Sequence, residues 1–371
     1  MDLKSRLRQW LGPHPDEAVA PQPAPAPAPE PEPVDTSAAD QAFARAAFRH
    51  SLRREPSDAE AEHYGALARE LGHAKVLDLL FGSDEFLHVN RVAISSEFYA
   101  GHFYSPVTDP EALAASGFKV DRELPEAALR GLTIDPERML AFWDAQLPAM
   151  LAADLPAKET PGRRYYADND IYSWGDGYLL TAMIAAHRPS RIVEIGSGFS
   201  SALMLDTVDR LGLPTEFVFV EPYADRLKAL LTENDRSRVT LVESFVQAAD
   251  LALFDELEPG DILFIDSTHV SKAGSDVNFE LFEILPRLPA GVIVHVHDIF
   301  YPFEYPDDWI FNQRRSWNEA YILRAFLMFN PAFEVLFFND YFGRKHADHA
   351  RRTLPQFLEN AGGGLWLRKC A

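Results

Sequence analysis

A chain of 371 residues, 47% hydrophobic and 12% aromatic, can bury a sizeable core, which excludes disorder as a description of the whole. Its formal net charge of −21, without a concentrated basic patch, argues against a nucleic-acid partner. One cysteine, Cys370, excludes an internal disulfide framework and fits a reducing compartment.

No run of about 18 apolar residues marks a membrane span, and the N-terminus lacks the apolar core of a signal peptide. A soluble cytoplasmic protein is expected. Residues 1–39 read as a short helix and a linker. Leu3, Leu7, Trp10 and Leu11 fall at helical spacing, and Pro21–Pro33 holds seven prolines in thirteen residues, which favours extended polyproline II and predicts a disordered linker.

Residues 40–95 turn helical, beginning with Phe43, Ala46, Ala47 and Leu52, and Ser57 with Glu60 has the spacing of a capping box. With its Arg-x-Pro turn and a terminal Ser-x-Glu-Phe at Ser83–Phe86, this stretch resembles a small helical module of bacterial multidomain proteins. The resemblance implies an interaction or spacer module, hence a protein partner for it. Residues 96–160 read as a mostly helical connector.

Residues 161–371 alternate strand and helix. Strands are predicted at 191–195, 216–221, 239–242, 261–266, 291–298, 333–338 and 364–369, with a helix at 177–187 before the first, helices at 200–211, 224–232, 277–288 and 316–329 between them and a last one at 346–360. Nearly continuous apolar strands alternating with helices predict a doubly wound α/β sheet, covered on both faces and Rossmann-like.

The turn Gly196-Ser197-Gly198 follows the first of these strands, and Glu221 ends the second, 23 residues beyond Gly198. Glycine permits a sharp turn and close approach of a ligand, and an acid at the second position can accept both ribose hydroxyl protons. NAD and S-adenosylmethionine (SAM) both satisfy that pattern. Three features favour SAM. Glu194 inside the first strand suits a cationic ligand, Ser201 stands where a dinucleotide fold wants glycine or alanine, and an apolar strand GLWLRK closes the chain. Tyr165–Lys369 then resembles a class I SAM-dependent methyltransferase, with a seven-stranded sheet whose last strand is antiparallel. One departure is the separation of the last two strands by about 25 residues.

That resemblance implies SAM contacts from Glu194, Gly196, Ser197, Gly198 and Ser200, with Glu221 on the ribose and Phe245 beside adenine. The other reading of Glu194 is a buried acid paired within the core. Tyr165, Tyr166, Asn169, Tyr172, Trp174 and Asp176 are expected to close over the cofactor.

Two strand ends are polar: Asp266-Ser267-Thr268-His269 and His295-Val296-His297-Asp298. Transfer of methyl to a hydroxyl needs alignment and removal of a proton, which a histidine or a metal can provide. Asp266-x-x-His269 is similar to metal-dependent sugar O-methyltransferases of macrolide biosynthesis. The similarity implies His269 as base, with Asp266 and His297 in the catalytic set. It also implies a divalent metal on Asp266, His297 and Asp298, with the imidazole shifting preference from magnesium toward manganese, iron or zinc. The competing reading has Asp266 and Asp298 bonded to loop amides and the SAM amine. His295 and His297 share one face of their strand, and at least one of them is expected to bond a neighbouring backbone group. The loop His297–Trp309 and the set Arg314, Arg315, Trp317, Asn318 and Glu319 are expected to meet the acceptor.

The expected activity is O-methyl transfer to a small or sugar-like hydroxyl acceptor, with a bacterial surface glycan or its precursor as one form. A non-catalytic SAM-binding or scaffolding protein and an NAD-linked oxidoreductase are the alternatives.

Overall fold

The computed structural model of the chain describes residues 37–83, 85, 86, 89 and 98–371, so the expectations for the N-terminal helix and proline-rich linker lie outside the described residues. Two compact units divide the chain, the second spanning Phe98–Ala371.

In the first unit, helices Ser37–Ser51, Asp58–Leu71 and His73–Phe81 enclose a small core of Phe48, Leu52, Ala68, Val76 and Leu80. Ser57 caps the second helix reciprocally with Glu60, since Glu60 N donates to Ser57 Oγ at 3.2 Å and Ser57 N to Glu60 Oε2 at 2.8 Å. Arg54, from the Arg-x-Pro turn, pairs with both Glu60 and Glu85 and lies 5.1 Å from the Phe48 ring centre. The two ends of the sequence motif are therefore tied through one guanidinium.

The second unit is built on a seven-stranded sheet in the order β3-β2-β1-β4-β5-β7-β6, with β1 Arg191–Ile195, β2 Glu216–Val220, β3 Val239–Val242, β4 Ile262–Ile265, β5 Ile293–Val296, β6 Phe333–Phe338 and β7 Leu365–Lys369. Strands β1 to β5 run parallel, and β7 is antiparallel to both β5 and β6. β1, β4 and β5 are apolar and buried almost throughout because helices cover both faces. Strand order reverses between β1 and β4, and in open sheets of this kind the crevice beyond the carboxyl ends at that reversal receives ligands.

Several helices differ from expectation. The long helix predicted at 316–329 is shortened to Glu319–Leu327, because Asn318 and Glu319 donate their amides to the His269 carbonyl. The single helix predicted at 346–360 is two pieces, Ala347–Thr353 and a 3-10 turn Pro355–Glu359, with the break before Pro355. A further helix, Asn339–Lys345, follows β6 directly. The intervening chain does not prevent β6 and β7 from pairing. Residues 98–160, read as a connector, lie in the same unit as the sheet. Trp143 of helix Pro136–Leu151 is fully buried and stacks on Phe342 at 4.6 Å. Arg122 donates to the carbonyls of Tyr301, Glu304 and Tyr305, clasping the loop that follows β5.

Arg164 anchors the segment leading into the sheet. It pairs with Asp206 at 2.7 Å and Asp235 at 2.6 Å, both buried, and so holds Asp235 well below the usual carboxylate range although burial alone would push it up. Removing the cation takes a charged partner from two buried carboxylates, of which Asp235 keeps Arg238 and Thr232 and Asp206 keeps backbone amides, and Arg164→Met is expected to destabilise this unit by about 3 kcal/mol, the lower end for a broken buried pair. Denaturant midpoints measure it. Because the folded pKa of Asp235 is depressed, its contribution is present above the unfolded carboxylate pKa and lost as pH falls through the folded value, so the gap between wild type and variant should narrow in acid.

Candidate active site

Gly196 follows β1 with φ of +80°, and a Cβ there would lie 1.8 Å from the Asp266 carbonyl oxygen. Only glycine lets the two crossover turns, after β1 and after β4, come this close. Ser197 N donates to Glu221 Oε2 at 3.1 Å and Tyr223 N to Glu221 Oε1 at 2.7 Å. The Glu221 carboxylate is thereby fixed at the end of β2, facing the glycine turn.

The turn opens into a cavity of about 380 Å³. Sheet order dictates how its wall is assembled. Glu221 comes from the end of β2, Gly196–Ser200 from β1, Asp266–His269 from β4, and His297 and Asp298 from β5. Trp309, Arg315 and Trp317 from the following loop complete it, together with Arg226 and Ile171, which the sequence did not single out.

His269 lies among three acids. Its Nδ1 is 2.8 Å from Glu319 Oε2, and its Nε2 is 3.4 Å from Asp266 Oδ1 and 3.5 Å from Asp298 Oδ2. The ring is buried and packs on Trp317 with centres 4.3 Å apart. Burial opposes its charge, but hydrogen bonding to Asp266 and Glu319 outweighs that and raises the imidazole pKa well above 6.5. Asp266 is lowered, since His297 and His269 more than offset its burial, while Asp298 is raised by burial. His269 (φ +61°) and Asp298 (φ +56°) both have left-handed backbone, a local strain of the kind that collects at functional sites.

Several expectations require correction. Glu194 does not line the cavity. It is fully buried, and its two oxygens are hydrogen-bonded to the hydroxyls of Ser200, at 2.5 Å, and Ser201. Burial pushes its carboxyl up to about 8 against the two serine hydroxyls, and the pair of bonds fastens the first turn of helix Phe199–Leu211. Asn169 and Tyr172 also stand behind the wall. Both polar ends of the Asn169 amide bond the backbone of residues 166–172, and the Tyr172 hydroxyl donates to the Asp176 carbonyl. Phe245 is exposed, edge-on to Tyr223, and is not part of the cavity wall. Asp176 is buried, its carboxyl pushed up to about 6 mainly by burial, and ties its helix to Asn339 and Gly364.

The proposed metal ligands are not arranged as a metal site. Among the described residues no group of three or more His, Cys, Asp or Glu side chains is placed to hold a metal ion. His297 Nδ1 is already 3.3 Å from His295 Nε2, and His269 Nε2 stands between Asp266 and Asp298 where a cation would have to sit. His295 bonds His297 rather than a backbone group, and burial drives its pKa well below 6.5. Within the acceptor set, Glu319 turns inward to His269, Asn318 bonds the backbone of Ser271, and Arg314 pairs with Glu111. Glu319 lies 50 residues from His269 and carries no spacing signal, so its partner could be found only from the fold.

Residues 193–299 match a family model described as a methyltransferase domain. An uncharacterized protein of Archaeoglobus fulgidus is 31% identical over 169 residues, covering 43% of this chain and 74% of that protein. Similar solved structures include a putative O-methyltransferase from Klebsiella pneumoniae, at 17% identity, 64% of this chain, 92% of that chain and a TM-score of 0.35. The O-methyltransferase TomG of Streptomyces achromogenes, in complex with SAM, shows 14% identity, 67% and 100% coverage and a TM-score of 0.34. With a seven-stranded sheet closed by an antiparallel strand and a glycine turn facing an acid at the end of β2, the second unit has the class I SAM-dependent methyltransferase fold, and residues 193–299 are its methyltransferase domain. Among the described residues no helix is long and apolar enough to cross a membrane.

Proposed function

We propose that the protein methylates a hydroxyl of a small or sugar-like acceptor, with His269 as the base. The observation that carries this reading is the His269–Glu319 pair, which leaves the second imidazole nitrogen, between Asp266 and Asp298, in the wall of the same cavity as the glycine turn and Glu221. Glu221 accepts the ribose hydroxyls, and the turn supports the methionine end of the cofactor. Asp266, beside the turn, attracts the SAM ammonium. In the transfer the acceptor oxygen forms a bond to the methyl carbon as the carbon–sulfur bond breaks. The sulfonium leaves as the neutral thioether of S-adenosylhomocysteine (SAH), and the hydroxyl proton passes to His269. A cationic cofactor beside Asp266 also draws that carboxylate away from His269, which helps the imidazole to give up its resting proton.

Calorimetric titration of SAM and SAH tests the cofactor half of this proposal. Glu221→Ala removes two charge-assisted hydrogen bonds to ribose and is expected to weaken binding roughly 10–100-fold. Undiminished SAM binding in the variant would refute the assignment of Glu221, and NADH binding in place of SAM would refute the proposal itself. A screen of hydroxylated acceptors for SAH release tests the rest, and turnover on amines alone would exclude the O-methyl reading.

A further inference from the structure

We infer that Arg315 recognises an anionic oxygen group on the acceptor, so that the molecule methylated carries a carboxylate or a phosphate beside its hydroxyl; this rests on the proposed methyl transfer at the same cavity.

The Arg315 guanidinium carbon lies 4.1 Å from the centre of the Trp309 ring and 4.4 Å from that of Trp317. The two indoles meet edge to face at 5.3 Å, and Arg315 N donates to the Trp309 carbonyl at 2.9 Å, which closes the loop and holds cation and rings together. Two aromatic contacts strip water from the guanidinium and stabilise its charge, without using the N–H donors along its edge. Arg315 has no carboxylate within ion-pairing distance among the described residues, although acids outnumber bases 56 to 35 in this chain. Arg122, Arg138 and Arg164, by contrast, commit their donors to carbonyls or carboxylates. A half-buried, preorganised and unpaired guanidinium is a receptor for a planar or tetrahedral oxyanion.

Its position assigns that oxyanion to the acceptor. Arg315 and Trp317 form part of the wall of the cavity at the glycine turn and also of a neighbouring one of about 270 Å³ that includes Tyr305 and Tyr321. Both come from the loop after β5, whereas the glycine turn and Glu221 belong to β1 and β2, with His269 between the two groups. The acids around His269 would repel an anionic acceptor, and a fixed cation in the same cavity wall offsets that repulsion.

The experiment uses the full chain saturated with SAH. Calorimetry compares glucuronate and glucose 6-phosphate with glucose, and 4-hydroxybenzoate with 4-hydroxybenzamide. In the wild type at least one anionic probe should bind about tenfold or more tightly than its neutral counterpart. The sugar acids show whether carboxylate or phosphate is preferred. In Arg315→Gln that advantage should disappear while SAH affinity stays within about twofold, and Arg315→Lys, which keeps charge but loses the planar fork, should fall between. Anions that bind no better than neutral probes overturn the inference. An equal advantage in Arg315→Gln also overturns it. Loss of SAH binding in Arg315→Gln would move the guanidinium to the cofactor, with the same result. Failure of the wild type to bind SAH would instead remove the methyl-transfer reading on which the inference depends.

Discussion

Replacing Glu319 with glutamine should move the titration of His269 to lower pH and carry the pH–rate profile with it. In the resting protein the imidazole pKa is raised well above 6.5, since Asp266 and Glu319 together outweigh the cost of burial. A protonated imidazole cannot accept a hydroxyl proton. The rate on a hydroxyl acceptor should therefore rise with pH through the His269 pKa and level off above it. Glutamine keeps an oxygen for the Nδ1 proton and fills nearly the same volume, but it removes one of the negative charges that hold the imidazolium. The pKa falls, the rising limb shifts toward acid, and the less basic imidazole gives a lower plateau. His269→Gln, which removes the proposed base, should lower kcat about 10²- to 10⁴-fold with little change in SAH affinity. NMR titration of the ring nitrogens reads the pKa without an acceptor, and initial rates of SAH formation read the profile. A His269 pKa in Glu319→Gln equal to that of the wild type would remove Glu319 from the proton-handling role. The same shift has a stability consequence. With the folded pKa raised, His269 stabilises the fold below its unfolded pKa, and the contribution is lost as pH rises through the folded value.

Local chemistry made much of the fold legible. Parallel strands buried on both faces are runs such as Ile262–Ile265, and the crossover helices between them show their own apolar periodicity, so strand positions could be read directly, whereas the antiparallel run of the closing strand followed only from the family resemblance. Gly196 and Glu221 were legible for the same reason, since each belongs to a short strand–turn unit with fixed spacing. What could not be read was the partner of each polar group. Glu194 looked like a ligand because an acid in a buried strand needs something to bond. The bond is made to Ser200 and Ser201 of the next helix, and the sequence does not show which of two available partners wins. Asn169 and Tyr172 fail as ligands for a related reason: a loop crossing the top of a sheet must satisfy its own backbone, and the amide of Asn169 does that work. Glu319, Arg226 and the Trp309–Arg315–Trp317 sandwich depend on where long connections end, and spacing along the chain carries no such information.

Gly196→Ala should be the most damaging single methyl group in the site. The glycine lies at φ +80°, where an L side chain costs about 1–2 kcal/mol, and the new carbon would lie 1.8 Å from the Asp266 carbonyl oxygen. That oxygen belongs to backbone, not to a flexible side chain, and the Asp266 amide is already bonded to the Ile195 carbonyl at 2.9 Å, so neither turn can yield alone. The turns after β1 and β4 must separate by an ångström or more. The turn that should carry the methionine end of SAM and the carboxylate proposed for its ammonium would then move apart together. Unfolding should be easier by roughly 4 kcal/mol, at the upper end for a single substitution, and SAM binding should be lost even in the fraction that folds. Gly198→Ala offers the comparison, because the same methyl there would meet Arg226 Cδ at 3.4 Å, on a side chain free to move, and space alone forces no shift of the turn. Urea unfolding and SAH calorimetry on the two variants separate the effects. If Gly196→Ala unfolds and binds SAH like the wild type, the close approach of these two turns is not what shapes the cofactor site.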